Sequence, residues 1–454
     1  MTFTELRQQY PAFVFHRASA AYGGEKLRIS YDFEIEGLGR FAPAWEIPCP
    51  QPDLTDPALK RLIFSLGMAE LVSYWKITCS PTVRIRCGSL TGTQADWWKK
   101  LYFGGLGEFF YRNGIETTET DFMQILCEGE PLPDAPAQKP LSGKLIPVGG
   151  GKDSIVTLHL LRNQLGDASA YQINHRDSSE QAALLAGIPK ERILEPKRTL
   201  DPFMLECNKR GFLNGHTPFS AIVAFSSVLT AYLTGIGTVI LSNESSASES
   251  TVSEAEVNHQ YSKSYQFEHD FFAYERAYLQ CGVRYFSLLR PLTEFQIARY
   301  FASLPTAYHE IFRSCNAGAK EDKWCGHCAK CLFVAVILSP FLPYAEIVRL
   351  LQSDLFNLPE MAPVLQELCG ALPNKPFECV GSRKEVNIAL CLAVARAEAA
   401  GEKLPLLLEQ YKASPLWAQY APTAAGFGQE WDECHNLPAE AAALVRRECV
   451  EAFR

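Results

Sequence analysis

Three consecutive glycines, Gly149–Gly151, stand between a short apolar run and an amphipathic segment of this 454-residue chain. The apolar run Leu145–Val148 predicts a buried strand, and the segment that begins at Lys152 predicts a helix. Glycine permits positive φ angles and brings backbone N–H groups close to a ligand, while the first turn of a helix presents free N–H groups and a partial positive charge. A strand, a glycine turn and a helix in this order therefore indicate an anion-binding loop.

The side chains after the glycines have chemistry that suits a nucleotide. Lys152 can reach a phosphate, Asp153 can orient a metal ion or backbone amides, and Ser154 can cap the helix or bind an oxygen. The same residues also fit a glycine-rich turn that binds no ligand. We favour the nucleotide interpretation because strand, glycines and helix occur in the required order.

Two common phosphate loops do not match this stretch. A Walker A loop needs glycine where Ile146 stands and Ser or Thr where Asp153 stands, and the dinucleotide fingerprint needs glycine at Ser154. The stretch is similar to Ser-Gly-Gly-x-Asp-Ser, the pyrophosphate loop of adenylating ATP pyrophosphatases, with Gly149 in place of the first serine. That resemblance implies an adenine nucleotide α-hydrolase-like core that cleaves ATP between its α and β phosphates. The candidate ATP-binding residues are Gly149, Gly150, Gly151, Lys152, Asp153 and Ser154.

Short apolar runs alternate with amphipathic segments from residue 144 to about residue 290. The strand candidates are Leu145–Val148, Ala168–Ile173, Arg192–Leu194, Thr238–Ser242 and Arg284–Leu288. Strands that alternate with helices at this spacing predict an α/β fold with a doubly wound parallel sheet. In such a sheet the ligand binds beyond the carboxyl ends of the strands.

The chain before the glycine loop has a different pattern. Residues 27–36 alternate between apolar and polar side chains, which predicts a half-buried antiparallel strand. Helical periodicity covers Pro57–Trp75 and Ala95–Asn113, with a strand candidate at Thr82–Arg86 between them. The segment 128–140 contains four prolines and few large apolar residues, so we interpret it as a linker.

Four cysteines lie within 17 residues, and two of them form a Cys-Gly-His-Cys knuckle. Thiolates bind Zn²⁺ tetrahedrally, and a site closed by four of them is structural rather than catalytic. His327 is then a bystander, because four thiolates leave no position for it. Reduced cysteines at a packed helix start, or a redox-active pair, are the alternatives to zinc. The candidate metal ligands are Cys315, Cys325, Cys328 and Cys331.

The pattern is helical from Cys331 to the end of the chain. We therefore divide the chain into three units. An N-terminal α+β domain, residues 1–135, is a candidate for substrate binding. A catalytic domain like that of ATP pyrophosphatases, residues 141–335, contains the cysteines, and a helical region follows at 336–454.

Composition limits the partners and the location of the protein. Asp and Glu number 51 against 43 Lys and Arg, a net charge of −8 that disfavours nucleic acid as a partner. The first residues do not form a signal peptide, so we expect a cytoplasmic protein with reduced cysteines. The uncharged stretch Ala221–Leu241 is too rich in Ser, Thr and Gly for a membrane span, and we predict a buried helix that ends at Gly235 and a buried strand after it.

Polar side chains follow the predicted strand Thr238–Ser242, at the sheet edge where ligands bind in this architecture. Glu244, His259 and Lys263 are candidates for proton transfer, with His259 closest to neutrality in its ordinary titration. A solvated loop with helix caps is the alternative for these residues. The candidate substrate-binding residues are Asn243, Asn258, Tyr261 and His216.

Taken together, these stretches resemble the UDP-N-acetylmuramoyl-L-alanyl-L-glutamate epimerases. The resemblance extends over most of the chain and rests on residues 147–154, 215–218, 242–245, 258–263 and the Cys-Gly-His-Cys-Ala-Lys-Cys cluster. It implies an ATP- and Mg²⁺-dependent isomerase of peptidoglycan precursor synthesis. Such an enzyme converts the terminal L-Glu of UDP-MurNAc-L-Ala-L-Glu to D-Glu and releases AMP and pyrophosphate. A ligase that adds L-Glu to the muramoyl precursor would be its pathway partner.

Two other functions fit parts of the sequence. A nucleobase- or tRNA-modifying pyrophosphatase, such as a 7-cyano-7-deazaguanine synthase, has a similar loop and cysteine cluster. About 140 residues before the loop and about 120 after the cluster exceed what such a compact enzyme needs. A catalytically inactive nucleotide-binding or zinc scaffold is the other alternative, supported by Gly149 in place of serine. The sequence leaves open whether one or two bases act.

Overall fold

The computed structural model describes residues 1–137, 139–248 and 261–453. Its strands are β1 (Ala12–Gly23), β2 (Lys26–Ile35), β3 (Gly39–Phe41), β4 (Ala44–Pro48), β5 (Thr82–Ile85), β6 (Gln124–Cys127), β7 (Ser142–Pro147), β8 (Ala168–Tyr171), β9 (Ile193–Leu194), β10 (Lys197–Thr199), β11 (Ile236–Leu241) and β12 (Arg284–Ser287). Its α-helices are α1 (Phe3–Gln9), α2 (Pro57–Trp75), α3 (Gly92–Gly105), α4 (Gly107–Arg112), α5 (Lys152–Leu160), α6 (Asp177–Leu185), α7 (Pro202–Lys209), α8 (Phe219–Thr234), α9 (Tyr265–Tyr274), α10 (Glu294–Ala302), α11 (Thr306–Ile311), α12 (Ala329–Leu338), α13 (Tyr344–Leu351), α14 (Ala362–Cys369), α15 (Arg383–Ala399), α16 (Leu406–Lys412), α17 (Pro415–Ala424) and α18 (Ala439–Cys449).

The N-terminal sheet has the strand order β10-β4-β2-β1-β5-β6, with β3 paired to β2. Strands β1 and β2 are antiparallel, whereas β1, β5 and β6 are parallel neighbours. The alternating pattern at 27–36 is confirmed as β2, because its apolar residues are buried and its polar residues are more exposed. This sheet packs its buried face against α2.

Helix α2 covers the range that the sequence predicts. Asp56 accepts a hydrogen bond from the backbone N–H of Ala58 at 2.9 Å, and Pro57 begins the helix, where it loses no helical hydrogen bond. Gly67 brings α2 close to the sheet, since a Cβ there would lie 2.6 Å from the Phe15 ring. The helix is buried along nearly its whole length because α8 covers its other side.

The second sheet is entirely parallel and has the order β12-β11-β7-β8-β9. Helices α8 and α9 pack on one face with α2, while α5 and α10 pack on the other with α12 and α15. A mixed α/β fold with a parallel sheet and helices on both faces is therefore confirmed. The chain leaves β7 in one direction toward β8 and returns to β11 on the other side, so the order reverses between β7 and β11. A crevice forms at such a point outside the carboxyl ends of the strands.

Strand β10 connects the two sheets, and the sequence did not predict it. It leaves β9 of the parallel sheet and pairs with β4 of the N-terminal sheet. Arg198 of β10 binds Glu70 of α2 through two hydrogen bonds of 2.6 and 2.7 Å, and Trp45 donates a third to Glu70 at 2.9 Å. Glu70 is fully buried, so these bonds compensate the loss of its hydration.

The predicted helix at Ala95–Asn113 is two helices, α3 and α4, that meet at Leu106. The proline-rich segment connects β6 to β7, and the guanidinium group of Arg61 donates to the carbonyls of Pro133 and Ala135. One apolar core contains residues from both sides of this segment, including those of α2 and α8. The division at 135 into separate domains remains a prediction.

The chain after Cys331 is helical, as predicted, and α12–α18 enclose the second apolar core. The uncharged stretch Ala221–Leu241 lies in α8 and β11, as predicted, and Gly235 at φ +77° ends the helix. Within the described ranges, every helix is too short or too polar to span a membrane.

Candidate active site and metal centre

A polar cavity of about 300 Å³ lies where β7 and β11 end, at the point where the strand order reverses. The predicted phosphate loop after β7 and the polar residues after β11 both line it. Its further walls come from the first residue of α10, from residues 313–316 and from the segment between α14 and α15. Residues that are far apart in the sequence thus meet at the sheet edge where the alternating pattern predicted a ligand.

The glycine loop is shaped by close packing. Gly150 has φ +76°, and a Cβ at this position would lie 2.2 Å from the Ser178 hydroxyl. Its carbonyl accepts a hydrogen bond from the backbone N–H of Arg313 at 2.7 Å, and Ser154 donates to the carbonyl of Gly151 at 3.0 Å. Only glycine fits at residue 150. The loop places the N-terminus of α5 at the cavity.

Three carboxylates meet beside this loop. One oxygen from each of Asp153, Glu244 and Glu294 lies within 4.8 Å of the others. Lys152 does not line the cavity, because the residue is 1% exposed and its ammonium group binds Asp153 and Glu294. Lys152 therefore holds the carboxylates in place, and a contact between its ammonium group and a phosphate stays a prediction.

Burial and neighbouring charges shift the pKa values of the three carboxylates in different directions. Burial raises the pKa of Glu294 to about 7, although Lys152 opposes this shift. Burial also raises the pKa of Glu244, against the charge of Lys263. For Asp153, burial raises the pKa, but the positive charges of Lys152 and the other ammonium groups nearby lower it by a larger amount. The net shift of the Asp153 pKa is therefore downward. Clustered carboxylate oxygens are the ligands that a hard cation such as Mg²⁺ prefers, so this donor set fits one.

Lys263 lies in a single turn of 3₁₀-helix, Tyr261–Lys263, next to the same cavity. Its ammonium group donates a hydrogen bond to the sulfur of Cys379 at 3.1 Å. The charge of Cys379 raises the pKa of Lys263, burial lowers it, and Glu244 raises it again, with a net upward shift. The side chain of this candidate base therefore carries a proton while Cys379 is its neighbour.

Arg290 connects the two polar segments of the site, one of which contains Glu244 and the other Lys263. It is fully buried, and it donates to the carbonyl of Glu244 and to the carbonyl of Lys263, each at 2.6 Å. Glu268 balances its charge at 3.0 Å. The backbone positions of Glu244 and Lys263 are thus fixed relative to each other by one guanidinium group.

The four cysteines converge as the sequence predicted. The sulfur–sulfur distances are 3.5 Å for Cys328 and Cys331, 3.7 Å for Cys325 and Cys331, and 3.9 Å for Cys315 and Cys328. A tetrahedral ion with metal–sulfur bonds near 2.3 Å would set these distances at about 3.8 Å. The four thiols therefore form a site that can hold a metal ion. His327 is exposed and contacts the Cys325 carbonyl at 2.7 Å, away from the sulfurs.

The structure separates the predicted substrate residues. Asn243 lines the first cavity and donates to the Ser287 hydroxyl at 3.1 Å. His216 lines a second cavity of about 310 Å³, together with Lys263 and Cys379. Tyr261 lines a third, larger cavity of about 570 Å³ beside α3 and α4. The predicted residues Asn258 and His259 lie outside the described residues.

Sequence reasoning missed several polar residues of the first cavity: Arg176, Glu294, Arg313, Lys330 and Cys379. Glu294 follows the last strand of the parallel sheet, so the rule that ligands lie at carboxyl ends could have found it. Lys330 lies between Cys328 and Cys331 in sequence, and the cysteine motif itself gives no role to the residues between its thiols. Cys379 lies in a loop between two helices, and no sequence signal distinguishes it from other scattered cysteines such as Cys434.

Comparison with known proteins identifies the family. Residues 4–288 match the model of the MurL N-terminal domain, and residues 311–421 match the model of the MurL C-terminal domain. The chain belongs to the MurL family. The resemblance that the sequence motifs suggested is therefore confirmed, and the first of the MurL matches extends across the proline-rich segment.

Curated MurL relatives carry the name UDP-N-acetyl-alpha-D-muramoyl-L-alanyl-L-glutamate epimerase. The relative from Xanthomonas oryzae pv. oryzae is 34% identical over 75% of this chain and 76% of its own length. The relative from Salinispora tropica is 34% identical over 84% of both chains, and that from Micromonospora sp. is 34% identical over 81% and 83%. No solved structure matches the chain.

Proposed function

We propose that this protein is an ATP-dependent epimerase that converts the terminal L-Glu of UDP-MurNAc-L-Ala-L-Glu to D-Glu. The observation that carries the proposal is the convergence of the glycine loop, three carboxylates and Lys263 on one cavity at the reversal of the strand order. The names of the relatives, each similar over three quarters of the chain or more, support the choice of substrate. The core would then be adenine nucleotide α-hydrolase-like.

Adenylation explains why an epimerase would need such a site. An α-proton beside a carboxylate is hard to remove, because the carbanion would form next to a negative charge. In the proposed reaction a carboxylate oxygen of the substrate attacks the α-phosphorus of ATP and pyrophosphate leaves. The acyl adenylate has lost that negative charge and can accept the electron pair of the broken C–H bond. Reprotonation on the opposite face and hydrolysis then give D-Glu and AMP.

The cations and N–H groups of the first cavity suit the nucleotide. Residues 149–151 and the first turn of α5 would hold phosphate oxygens, with Arg313 and Lys330 balancing their charge. Asp153, Glu244 and Glu294 would hold Mg²⁺, which supplies charge neutralisation at the phosphates when it is bound.

The peptide substrate has space on the other side of Lys263. The second cavity, which His216 lines, borders the first at Lys263 and Cys379 and would receive the glutamyl end. Lys263 would transfer protons at the α-carbon, since it stands between the two cavities. The third cavity, beside α3, α4 and Tyr261, would hold the remote UDP-sugar, which gives the N-terminal unit its part in binding.

The cysteine cluster would hold a structural Zn²⁺. Backbone N–H groups of Gly318 and Cys325 donate to the Cys315 sulfur at 3.2 and 3.4 Å, as expected for a thiolate ligand. The cluster is contiguous with the cavity, because Cys315 and Lys330 line it. Zinc would thus fix the wall that carries Arg313 and Lys330.

The decisive experiment follows the α-proton. Purified protein in heavy water, with ATP, Mg²⁺ and UDP-MurNAc-L-Ala-L-Glu, should release AMP and pyrophosphate and form the D-Glu product in equal amounts, with deuterium at its α-carbon. Free L-Glu should react poorly, because it lacks the remote groups whose binding positions the reacting centre. Epimerisation without ATP, or AMP release without exchange, would contradict the proposal. AMP release with a nucleobase acceptor instead would favour the modifying pyrophosphatase.

The proposed activity also places the protein in a reaction sequence. We expect it to act in the cytoplasm, after a ligase that adds L-Glu to the muramoyl precursor, because that ligase would supply its substrate.

A further inference from the structure

The segment between α14 and α15, residues 370–382, reaches from the C-terminal helices to the second cavity. We call it the crossing segment. Its residues Phe377, Glu378 and Cys379 line that cavity, and the Cys379 sulfur accepts a hydrogen bond from the Lys263 ammonium group at 3.1 Å. The crossing segment therefore forms one wall of the space that would receive the glutamyl end.

Both ends of the crossing segment are anchored in the C-terminal helices. At the first end, the Asn387 amide of α15 donates to the carbonyl of Cys369 at 2.8 Å. At the second end, the ammonium group of Lys330 in α12 donates to the carbonyl of Cys379, and Val380 beside it is buried. The residues between these two anchors reach to the N-terminal unit.

The middle of the crossing segment contacts α4. The ring centres of Phe377 and Tyr111 are 5.3 Å apart, and the guanidinium carbon of Arg112 lies 5.1 Å from the centre of the Phe377 ring. The Asn374 amide donates to the Tyr111 hydroxyl at 3.3 Å. We call the contacts of Phe377 with Tyr111 and Arg112 the latch. Tyr111 is 45% exposed, and ring and cation–ring contacts are weak at exposed positions, so the latch can open and close.

The proposed reaction must exclude water at one stage and admit it at another. If water meets the acyl adenylate before the α-proton is removed, its oxygen bonds to the acyl carbon. AMP then leaves with the electron pair of the broken C–O bond, and the protons of the water pass to solvent. L-Glu is recovered without inversion although one ATP has been consumed. Closed walls around a reactive intermediate prevent such hydrolysis.

We propose that the crossing segment is a lid over the second cavity, and that the latch keeps water away from the adenylate until the α-carbon is inverted. The inference rests on the proposed epimerase function. Opening of the latch then admits the water that hydrolyses the inverted adenylate, and the product can leave. Phe377 and Arg112 act through the position of the lid, so they are positioning residues. Their effect is on the coupling of ATP consumption to inversion.

The test measures that coupling in the full-length protein and in Phe377→Ala and Arg112→Gln variants. Each is supplied with ATP, Mg²⁺ and UDP-MurNAc-L-Ala-L-Glu in heavy water enriched in oxygen-18. The ratio of AMP to D-Glu product should rise about fivefold in Phe377→Ala and about twofold in Arg112→Gln, relative to the wild-type ratio. Arg112→Lys keeps a cation beside the ring and should stay near the wild-type ratio.

The isotopes show when the adenylate was hydrolysed. In the Phe377→Ala and Arg112→Gln reactions, recovered L-Glu substrate should contain oxygen-18 in its α-carboxylate but no deuterium at its α-carbon. That combination arises only when water reaches the adenylate before the α-proton is removed. General damage to the fold lowers AMP and D-Glu together and does not produce it.

Arg210→Gln is the matched control. Arg210 lies 5.4 Å from the centre of the Phe212 ring and pairs with Glu206 four residues earlier, just as Arg112 pairs with the glutamate four residues before it. The described linings of the three cavities do not include Arg210. The ratio of AMP to D-Glu in this variant should equal that of the wild type.

Hydroxylamine distinguishes an open lid from a lost proton-transfer group, because it attacks an acyl adenylate and gives a hydroxamate. Phe377→Ala should form about tenfold more hydroxamate of the L configuration than the wild type. Lys263→Met lacks the proposed proton-transfer group but keeps the latch. It should therefore form little L-hydroxamate, although it makes no D-Glu product.

An unchanged ratio of AMP to D-Glu in Phe377→Ala and Arg112→Gln would overturn the inference. So would L-hydroxamate formation in Phe377→Ala that does not exceed that in Lys263→Met. If Phe377→Ala does not fold, the ratio in Arg112→Gln decides alone, because that side chain is on the surface. Failure of the wild-type protein to release AMP with this substrate would instead contradict the proposed function, so the two failures are distinguishable.

Discussion

The carboxylate cluster and the cysteine cluster lie on neighbouring walls of one cavity, but they differ in the partners that the protein supplies to them. The carboxylates of Asp153, Glu244 and Glu294 already have a protein cation, because Lys152 contacts two of them. The thiols of the cysteine cluster, Cys315, Cys325, Cys328 and Cys331, instead face one another at distances that suit a shared ion. The carboxylates therefore already have a charged side chain as their partner, whereas the four thiols are close enough to share one ion. Under the proposed function, the carboxylate cluster would serve the chemistry and the cysteine cluster would fix the shape of the cavity.

The largest effect on activity should come from the carboxylate cluster. Asp153→Asn removes a charge that the N-terminus of α5 and Lys152 are arranged around, so we expect AMP release to fall by about 10³-fold. Thermal unfolding should change much less than activity, since the side chain keeps its size and Lys152 keeps its ion pair with Glu294. Asp167→Asn is the control, because Asp167 forms a surface ion pair with Lys144 away from the cavity. Near wild-type turnover of Asp153→Asn would show that the loop is not the nucleotide site.

The largest effect on stability should come from the cysteine cluster. Cys325→Ser should lose the metal ion and lower the free energy of unfolding by about 4 kcal/mol or more, because a structural ion contributes directly to folding. Elemental analysis should find one zinc per wild-type chain and none in the variant. Cys434→Ser should keep both zinc and stability. Freshly purified, reduced wild-type protein without zinc would remove the distinction between the two clusters.

A smaller effect on stability should distinguish two glycines of the loop beside the carboxylates, Gly149 and Gly150. Gly150→Ala places a Cβ at φ +76° and 2.2 Å from the Ser178 hydroxyl, so we expect it to lower the free energy of unfolding by about 2 kcal/mol. Gly149→Ala is the matched control for stability, since a Cβ there meets no described atom within 4 Å. Chemical denaturation measures both variants. Equal stability of the two would mean that the loop is not packed as the structure describes.

The smallest effect tests the boundary of the cysteine cluster. His327→Ala should keep the full zinc content and change the free energy of unfolding by less than about 0.5 kcal/mol, because the imidazole is exposed and its hydrogen bond goes to a backbone carbonyl. Zinc loss in this variant would mean that the imidazole replaces one of the four thiols as a ligand.

Local signals predicted the elements whose determinants are close together in the sequence. Helix α2 was predictable because its cap at Asp56, its first residue Pro57 and its apolar face are contiguous. The parallel strands were predictable because each is a short apolar run between helices. The glycine loop and the cysteine cluster were predictable for the same reason, since each is a single short motif.

Residues that act through distant contacts could not be predicted in this way. Arg290 looks like an ordinary charged residue in sequence, and only the fold shows that it joins Glu244 to Lys263. Cys379 has no motif around it, and only the fold shows that its sulfur contacts Lys263. The break at Leu106 divided a helical pattern that is continuous in apolar spacing, because tertiary packing decides where such a pattern ends.

The pairing of β10 with β4 has a consequence for the order in which the protein forms during synthesis. About 150 residues separate the paired strands. A ribosome that adds about 5–20 residues per second would need roughly 8–30 seconds to pass from one strand to the other. During that interval the edge of β4 has no strand partner and the carboxylate of Glu70 lacks its bonds to Arg198, while β7, β8 and β9 are synthesised. The first-made sheet is therefore completed by a strand that is made after three strands of the second sheet and before its last two, so the formation of the two sheets overlaps.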